Sequence, residues 1–230
     1  MKKHIVVLSG AGMSAESGLR TFRDNDGLWE DHRVEEVAIP EAWETNRGLV
    51  LRFYNERRRA LLDAAPNAGH TIIAEWQKTH RVSVVTQNVD DLHERAGSTG
   101  VIHLHGELRK ARSTADPSRI YEIEGWELRD GDLCELGSQL RPHIVWFGEM
   151  VETMPDAFRV VSTADILVIV GTSLQVYPAA GLAWAAPAGT QRFLVDPNPP
   201  PAPGFQIIRA GASEGLAVID RMLAEDPCAD

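Results

Sequence analysis

The run Asp165-Ile166-Leu167-Val168-Ile169-Val170-Gly171 is apolar without interruption between its two ends. Successive side chains of a strand point to opposite faces, so a strand with one face in water would alternate apolar and polar residues. An unbroken β-branched run therefore predicts a strand covered on both sides. Shorter runs of the same character lie at 5–8, 82–86, 101–104, 193–195 and 205–208. Helical patterns fall between them at 49–62, 69–78, 155–163 and 213–223. In the last of these Ser213 is the expected N-cap, with Leu216, Ile219 and Leu223 at helical spacing. The alternation predicts an α/β fold with a mostly parallel sheet and helices on both faces.

With 230 residues and 43% hydrophobic content, the chain suits one large domain, or one with a small insert. Between 106 and 142 the composition shifts to Arg, Asp, Glu, Ser and Gly without strong periodicity. This marks a small inserted module of about 106–142, with the large domain formed by about 1–105 and 143–230. A second irregular stretch, 21–40, is long for a connection and suggests a functional lid. The proline run from Pro197 to Pro203 suggests a stiff surface connector. A formal net charge of -10 argues against nucleic acid held by charge alone and against an anionic membrane surface. No apolar run approaches the ~20 residues of a spanning helix, and Met1-Lys2-Lys3-His4 leads into a strand rather than a cleavable signal. A cytoplasmic location is expected. Cys134 and Cys228 are the two cysteines, which excludes both a disulfide framework and a four-cysteine metal site.

After the first strand comes Ser9-Gly10-Ala11-Gly12-Met13-Ser14-Ala15-Glu16-Ser17-Gly18. Glycines let the backbone approach a diphosphate, and a following helix N-terminus would add unpaired N–H groups and a positive dipole end. A plain strand-to-helix turn is the alternative. The usual dinucleotide fingerprint also needs a second strand ending in an acidic residue ~20 positions later, where Asp24-Asn25-Asp26-Gly27-Leu28-Trp29 reads as loop. A bound dinucleotide would thus sit in an unusual geometry. Strand 82–86 ends in Gln87-Asn88-Val89-Asp90, polar groups at the sheet edge where α/β ligands bind, unless Asp90 simply caps the next helix. His103 and His105 stand at i, i+2 and would share one face of a strand, as a metal pair, a base with a neighbour, or structural histidines. Gly171-Thr172-Ser173 offers N–H groups and two hydroxyls at another strand end, or a helix cap. The segment from Arg141 to Glu149 suits an extended strand that pairs with a peptide or packs in the core.

Taken together and in order, these motifs resemble the sirtuin family of NAD-dependent protein lysine deacylases, over nearly the whole chain. The resemblance implies a Rossmann-like large domain, an NAD site, an acyl-lysine tunnel and His105 as general base, with Asn88 orienting ribose and water and Asp90 the nicotinamide amide. By the same resemblance Gly10, Ala11, Gly12, Thr21, Phe22, Arg23, Gln87, Asn88 and Asp90 face NAD. Gly171, Thr172, Ser173, Asp196 and Ala212 complete the cofactor set, and Val145, Phe147 and Val176 form the wall for an acylated-lysine peptide or protein. Tyr54, Arg57 and Ala38 match the subgroup that removes malonyl, succinyl and glutaryl groups. On a helix Tyr54 and Arg57 project from one face. A guanidinium with a phenol would bind an acyl carboxylate, whereas an acetyl group would leave that charge unpaired. The alternative is that Arg57, Arg58 and Arg59 form a solvated basic helix face.

Two departures stand out. Most sirtuins carry two cysteine pairs for a structural zinc, but here the first pair is replaced around Ser113 and Asp116 and the second keeps only Cys134. No zinc is expected. Tyr121, Ile123, Trp126, Leu128, Leu133 and Leu136 are then the apolar groups available to hold the module. Asp196 stands where the family often has Asn; it can accept ribose hydroxyls and would repel a 2′-phosphate, so NAD is expected over NADP. The resemblance predicts release of nicotinamide and O-acyl-ADP-ribose, with ADP-ribosyl transfer, NAD hydrolysis or a non-enzymatic acyl-lysine or NAD sensor as alternatives.

Overall fold

The computed structural model describes residues 3–20 and 32–225. In chain order the elements are β1 (His4–Ser9), α1 (Val34–Val37), α2 (Pro40–Asp63), α3 (Ala68–Thr79), β2 (Arg81–Thr86) and α4 (Leu92–Arg95). There follow β3 (Ile102–His103), β4 (Gly106–Ser113), β5 (Ile120–Glu122), β6 (Leu140–Ile144) and α5 (Met154–Val161). The chain closes with β7 (Ile166–Val170), β8 (Gln191–Val195), β9 (Gln206–Ile208) and α6 (Ala212–Glu225).

Six strands form a parallel sheet in the order β3-β2-β1-β7-β8-β9. The two-sided burial expected of the apolar runs holds residue by residue in β1 and β7, whereas in the edge strand β9 Ile207 is exposed. Along β1, Ile5 and Val7 join one apolar cluster with Ile73 and Trp76 of α3 and Leu216 and Ile219 of α6. Val6 and Leu8 join another with Val161 of α5 and Leu182 of a short 3-10 segment. Residues of β7 divide in the same way, Val168 to the first cluster and Leu167 and Ile169 to the second. The result is a Rossmann-like α/β sandwich. Among the described residues no helix is long and apolar enough to cross a membrane.

A third cluster lies beside the sheet, where α1 and α2 pack against the antiparallel sheet β5-β4-β6. Val50, Phe53, Tyr54 and Leu61 of α2 meet Leu108, Ala111, Ile123, Leu128, Ile144 and Trp146. The helix is interrupted at Asn46, whose backbone leaves the helical region and whose Oδ1 accepts the Leu49 N–H, restarting the helix where sequence periodicity placed its beginning. Arg58 is fully buried at this junction. Its Nε donates to the Leu108 carbonyl at 2.6 Å and Nη1 to the Trp126 carbonyl at 2.7 Å, while Asn55 exchanges hydrogen bonds with the Leu128 backbone. Burial lowers the Arg58 pKa to about 10. The arginine run is therefore not a solvated face: Arg58 fastens the small sheet, and only Arg59 of the three is exposed.

Several local expectations are corrected. Ser213 lies inside α6 rather than capping it, and its N–H donates to Glu16 Oε1 at 3.1 Å. Of the apolar groups proposed to hold the inserted module, Ile123 and Leu128 are buried but Trp126, Leu133 and Leu136 are exposed. The stretch from 32 to 40 contains α1 and the start of α2, while the remainder of the expected lid lies outside the described residues, as does Cys228. Cys134 is buried in a polar knot: its Sγ is 3.1 Å from Ser138 Oγ and 3.4 Å from Ser113 Oγ, and the two hydroxyls are 2.9 Å apart. Asp116 turns its carboxylate to Ser118 and Arg119 instead.

Candidate active site

The sheet order reverses direction about β1 and β7, and the loops leaving their carboxyl ends separate there, the usual place for a ligand crevice in an open parallel sheet. A cleft of ≈ 1390 Å³ occupies this edge. Its floor is built from backbone. Gly10 N–H donates to the Val170 carbonyl at 3.0 Å and Gly12 N–H to the Gly171 carbonyl at 2.8 Å. A Cβ on Gly171, which sits at φ +65, would lie 2.2 Å from Met13 N; one on Gly12 would lie 2.7 Å from Gly171 Cα. Any larger residue would force the two loops apart. The α-helix expected after the glycine loop is absent; the chain makes two 3-10 turns, Ala11–Met13 and Ala15–Ser17. Polar backbone and small side chains, rather than a long helix dipole, face the cleft.

Four strand ends deliver the cleft's polar groups: Gly10, Ala11 and Gly12 after β1, Gln87, Asn88 and Asp90 after β2, Gly171, Thr172 and Ser173 after β7, and Asp196 after β8. Asn88 Nδ2 donates to Ser14 Oγ at 3.1 Å, and Ser14 Oγ donates to Asp90 Oδ2 at 2.8 Å. Asp90 Oδ1 also accepts the Leu92 N–H at the start of α4, although Asp91 and not Asp90 stands at the N-cap. Behind them Thr86 Oγ1 accepts both the Asn88 N–H and the Ser9 hydroxyl, and Ser9 Oγ reaches His93 Nε2 at 3.0 Å. These groups are all buried, where each unmade hydrogen bond costs about 1–3 kcal/mol. The network is thereby held to one arrangement. Burial raises the Asp90 pKa, against the hydrogen bonds from Ser14 and Leu92.

The two histidines do not share a strand face. β3 ends at His103, and His105 lies in the turn before β4. His103 Nε2 meets Glu94 Oε1 at 2.9 Å and Nδ1 meets the Asn88 carbonyl at 3.1 Å. Burial opposes the charged ring, but Glu94 outweighs it and the His103 pKa is raised. His105 lines the cleft, with Nδ1 3.0 Å from the Gln87 carbonyl. A carbonyl can only accept, so Nδ1 carries the proton and Nε2 is the ring's acceptor. Burial pulls the His105 pKa below its usual value, partly offset by the Gln87 bond. Among the described residues no cluster of three or more His, Cys, Asp or Glu could hold a metal.

At the cleft's other side Ala38, Tyr54 and Arg57 stand with Val145, Phe147 and Val176. Val145 N–H donates to the His105 carbonyl and Phe147 N–H to the Ala38 carbonyl, both at 2.9 Å, so one extended segment joins the histidine to this wall. Thr21, Phe22 and Arg23 lie outside the described residues. Ala212 is buried and its neighbour Gly211, not Ala212 itself, borders the cleft. Residues 197–201 are more than a connector, since Pro197, Asn198, Pro200 and Pro201 line the cleft. Ser14 belongs to the glycine motif, and its place four residues past Gly10 is the sequence signal for its part in the cleft. Trp146 also borders the cleft while its ring joins the cluster of α2 and the small sheet, and no local pattern marks it.

The cleft suits a dinucleotide: a loop without side chains where Gly10 and Gly12 stand, a buried carboxylate at Asp196, and polar groups from four strand ends. Comparison with known proteins agrees. The sequence model of the Sir2 family matches residues 10–178. An NAD-dependent protein deacylase of Bacteroides thetaiotaomicron is 50% identical over 233 residues, covering 98% of this chain and 100% of that protein. One from Aggregatibacter actinomycetemcomitans is 54% identical over 199 residues, 86% of this chain and 95% of the relative. The crystal structure of a Sir2 homologue in complex with NAD superposes with a TM-score of 0.86 at 39% identity, over 96% of this chain and 89% of the other. Ordered motifs, sheet topology and the glycine-floored cleft are thus those of one family, and the chain belongs to the Sir2 family.

Proposed function

We propose that this chain removes acyl groups from protein lysines at the expense of NAD, with malonyl, succinyl or glutaryl groups preferred over acetyl. The observation that carries the reading is the convergence, in one cleft, of a neutral His105 with a Tyr54, Arg57 and Ala38 pocket. NAD, when bound, supplies a ribose carbon from which nicotinamide can leave and to which the acyl oxygen can bond. Gly10, Ala11, Gly12, Gly171, Thr172 and Ser173 would hold its phosphates and adenosine, and Asp196 would accept ribose hydroxyls. Asn88 would orient the reacting ribose and Asp90 the nicotinamide amide, both fixed by Ser14. His105 Nε2 would take the ribose hydroxyl proton, which requires the ring to be neutral before the step. One water is consumed as the intermediate breaks down, and the products are free lysine, nicotinamide and O-acyl-ADP-ribose. The close relatives named as NAD-dependent protein deacylases support the reaction class.

Acyl preference follows from charge. Arg57 borders the cleft beside Tyr54, and its charge is felt at the phenol. An acidic acyl chain would bring a carboxylate to this cation. An acetyl chain would bring none and would forgo that charge-assisted contact. We further propose that the small sheet needs no zinc. Where a structural site would place four thiolates or imidazoles, this chain has one thiol hydrogen-bonded to two serine hydroxyls, with Asp116 engaged elsewhere.

Four outcomes are expected. His105→Ala lowers kcat/KM by about 10²-fold or more. In the parent kcat/KM rises with pH as His105 loses its proton, with the acid-limb midpoint below 6.5; a midpoint at or above 6.5, or an active alanine variant, contradicts the assignment. Mass-spectrometric turnover of matched peptides should show succinyl-lysine favoured over acetyl-lysine, and Arg57→Met should erase about 10- to 100-fold of that preference, the scale of charge-assisted hydrogen bonds. Equal turnover, unaffected by the substitution, would leave a general deacetylase. Metal analysis of the purified protein should find zinc far below stoichiometric, and chelation should leave the thermal midpoint in place; stoichiometric zinc refutes the metal-free reading.

A further inference from the structure

His103 and His105 each aim Nδ1 at a carbonyl of the loop after β2, His105 at Gln87 and His103 at Asn88. The Nε2 of His103 meets a carboxylate as well, Glu94 Oε1 at 2.9 Å, in a side chain only 8% exposed. Neither a carbonyl nor an ionised carboxylate can donate. Burial works against the charge on Glu94, but the bond and charge of His103 outweigh it and the Glu94 pKa is lowered. Two acceptors, at 3.1 and 2.9 Å, therefore require a hydrogen on each ring nitrogen of His103. The geometry is that of an imidazolium, whereas one proton satisfies the Gln87 contact of His105.

The ring is anchored beside the loop it holds. His103 pairs with Thr86 in the β2–β3 register, and its carbonyl accepts the Thr153 hydroxyl at 3.0 Å. Asn88 is fixed by its N–H to Thr86 Oγ1, by its Nδ2 to Ser14 Oγ and by its carbonyl, which accepts from His103. Only the last of these partners titrates. The charged groups around the ring are Glu94 of α4, Asp90 of the β2 loop, and Glu107 of β4, which Lys110 binds at 2.8 Å. His93 of α4, kept neutral by burial, adds no charge.

A neutral imidazole keeps one N–H. The charge-assisted bond to Glu94 is the stronger of the two, so the remaining proton stays on Nε2 and Nδ1 turns a lone pair toward the Asn88 carbonyl. A hydrogen bond becomes a contact between two acceptors.

We propose that His103 is a positioning residue: as an imidazolium it bridges Glu94 and the Asn88 carbonyl and so holds Asn88 for the reacting ribose, and loss of one ring proton releases that hold. This rests on the deacylase reading above and the place of Asn88 in it, and adds an alkaline limit to the reaction. Burial opposes the charge on His103, but Glu94, Glu107 and the Asn88 carbonyl outweigh it. The hold is thus in place below the raised pKa and lost as pH rises through it. His105 needs the opposite state, a neutral ring, so activity occupies the window between the two histidines.

The test pairs a direct reading of the ring with kinetics. Nitrogen NMR of histidine-labelled protein, with the His103 signals identified by their absence in His103→Gln, should show a predominant imidazolium at pH 6.5 and a midpoint above it. For an acetyl- or succinyl-lysine peptide with NAD, kcat/KM should fall about tenfold through that same midpoint, the scale of one hydrogen bond. Glu94→Gln should move both midpoints to lower pH, and His103→Gln should abolish the fall. A ring that is neutral at pH 6.5 overturns the inference, as does an alkaline fall that persists unchanged in His103→Gln. A uniform loss of activity in both variants, with the parent's pH profile kept, makes His103 a packing residue and also overturns it. An imidazolium in a protein that deacylates neither peptide overturns the positioning role together with the deacylase reading beneath it.

Discussion

Backbone packed on backbone, where the loop after β1 crosses the loop after β7, is the contact on which this site depends. Gly12 donates to Gly171, and neither position has room for a methyl group. The contact extends the β1–β7 ladder past the last paired residues, Ser9 and Val170, and sets the two strand ends at a fixed separation. Everything polar in the cleft is referred to that edge. The Gln87 N–H bonds the Ser9 carbonyl and its side chain reaches Thr172, so the β2 loop is tied to the ends of both β1 and β7. A floor of glycine presents N–H groups and no side chains, which is what a close-lying diphosphate requires.

Above this floor, protonation is set by who pairs with whom in a poorly solvated place. Two histidines two residues apart are driven in opposite directions: Glu94 keeps His103 toward the charged form, while His105, with only a carbonyl partner, is held neutral by burial. Deeper still, burial lowers the His93 pKa to about 3 and that of His70 to about 4, so these two rings serve as neutral packing and hydrogen-bonding groups. Charge is then concentrated where it has a partner. The Arg112, Arg141 and Glu149 cluster is one case, and Arg58, whose Nε and Nη1 donate to the Leu108 and Trp126 carbonyls, is a second.

How much of this could be read from sequence varied with the range of the interaction. The central strands were legible because their unbroken apolar runs have no other stable placement, and the six-stranded sheet follows them closely. Polar groups at strand ends were legible for a related reason, since a parallel sheet collects its carboxyl ends along one edge. The small sheet was not, because β4 and β5 are charged and half-exposed, and the pairing of β4 with β6 depends on residues far along the chain. Arg58 reads as one of three surface arginines until Leu108 and Trp126 are brought over it. Trp146 and Tyr54 are separated by 92 residues, and no local pattern marks an indole that meets a phenol. Ser213 carried a capping residue's composition, but the loop from β9 enters α6 one residue earlier and Glu16 meets the exposed N–H instead.

In the proposed function one cleft would serve two ligands, a dinucleotide on the glycine floor and an acyl chain at the Ala38, Tyr54 and Arg57 wall, with His105 also lining that cleft. Its most direct test is nicotinamide release from NAD by the purified protein, with and without an acylated-lysine peptide. Release that depends on the acylated peptide and matches the deacylated lysine formed is the predicted result. Release at the same rate without peptide, or peptide binding with no release at all, would contradict it.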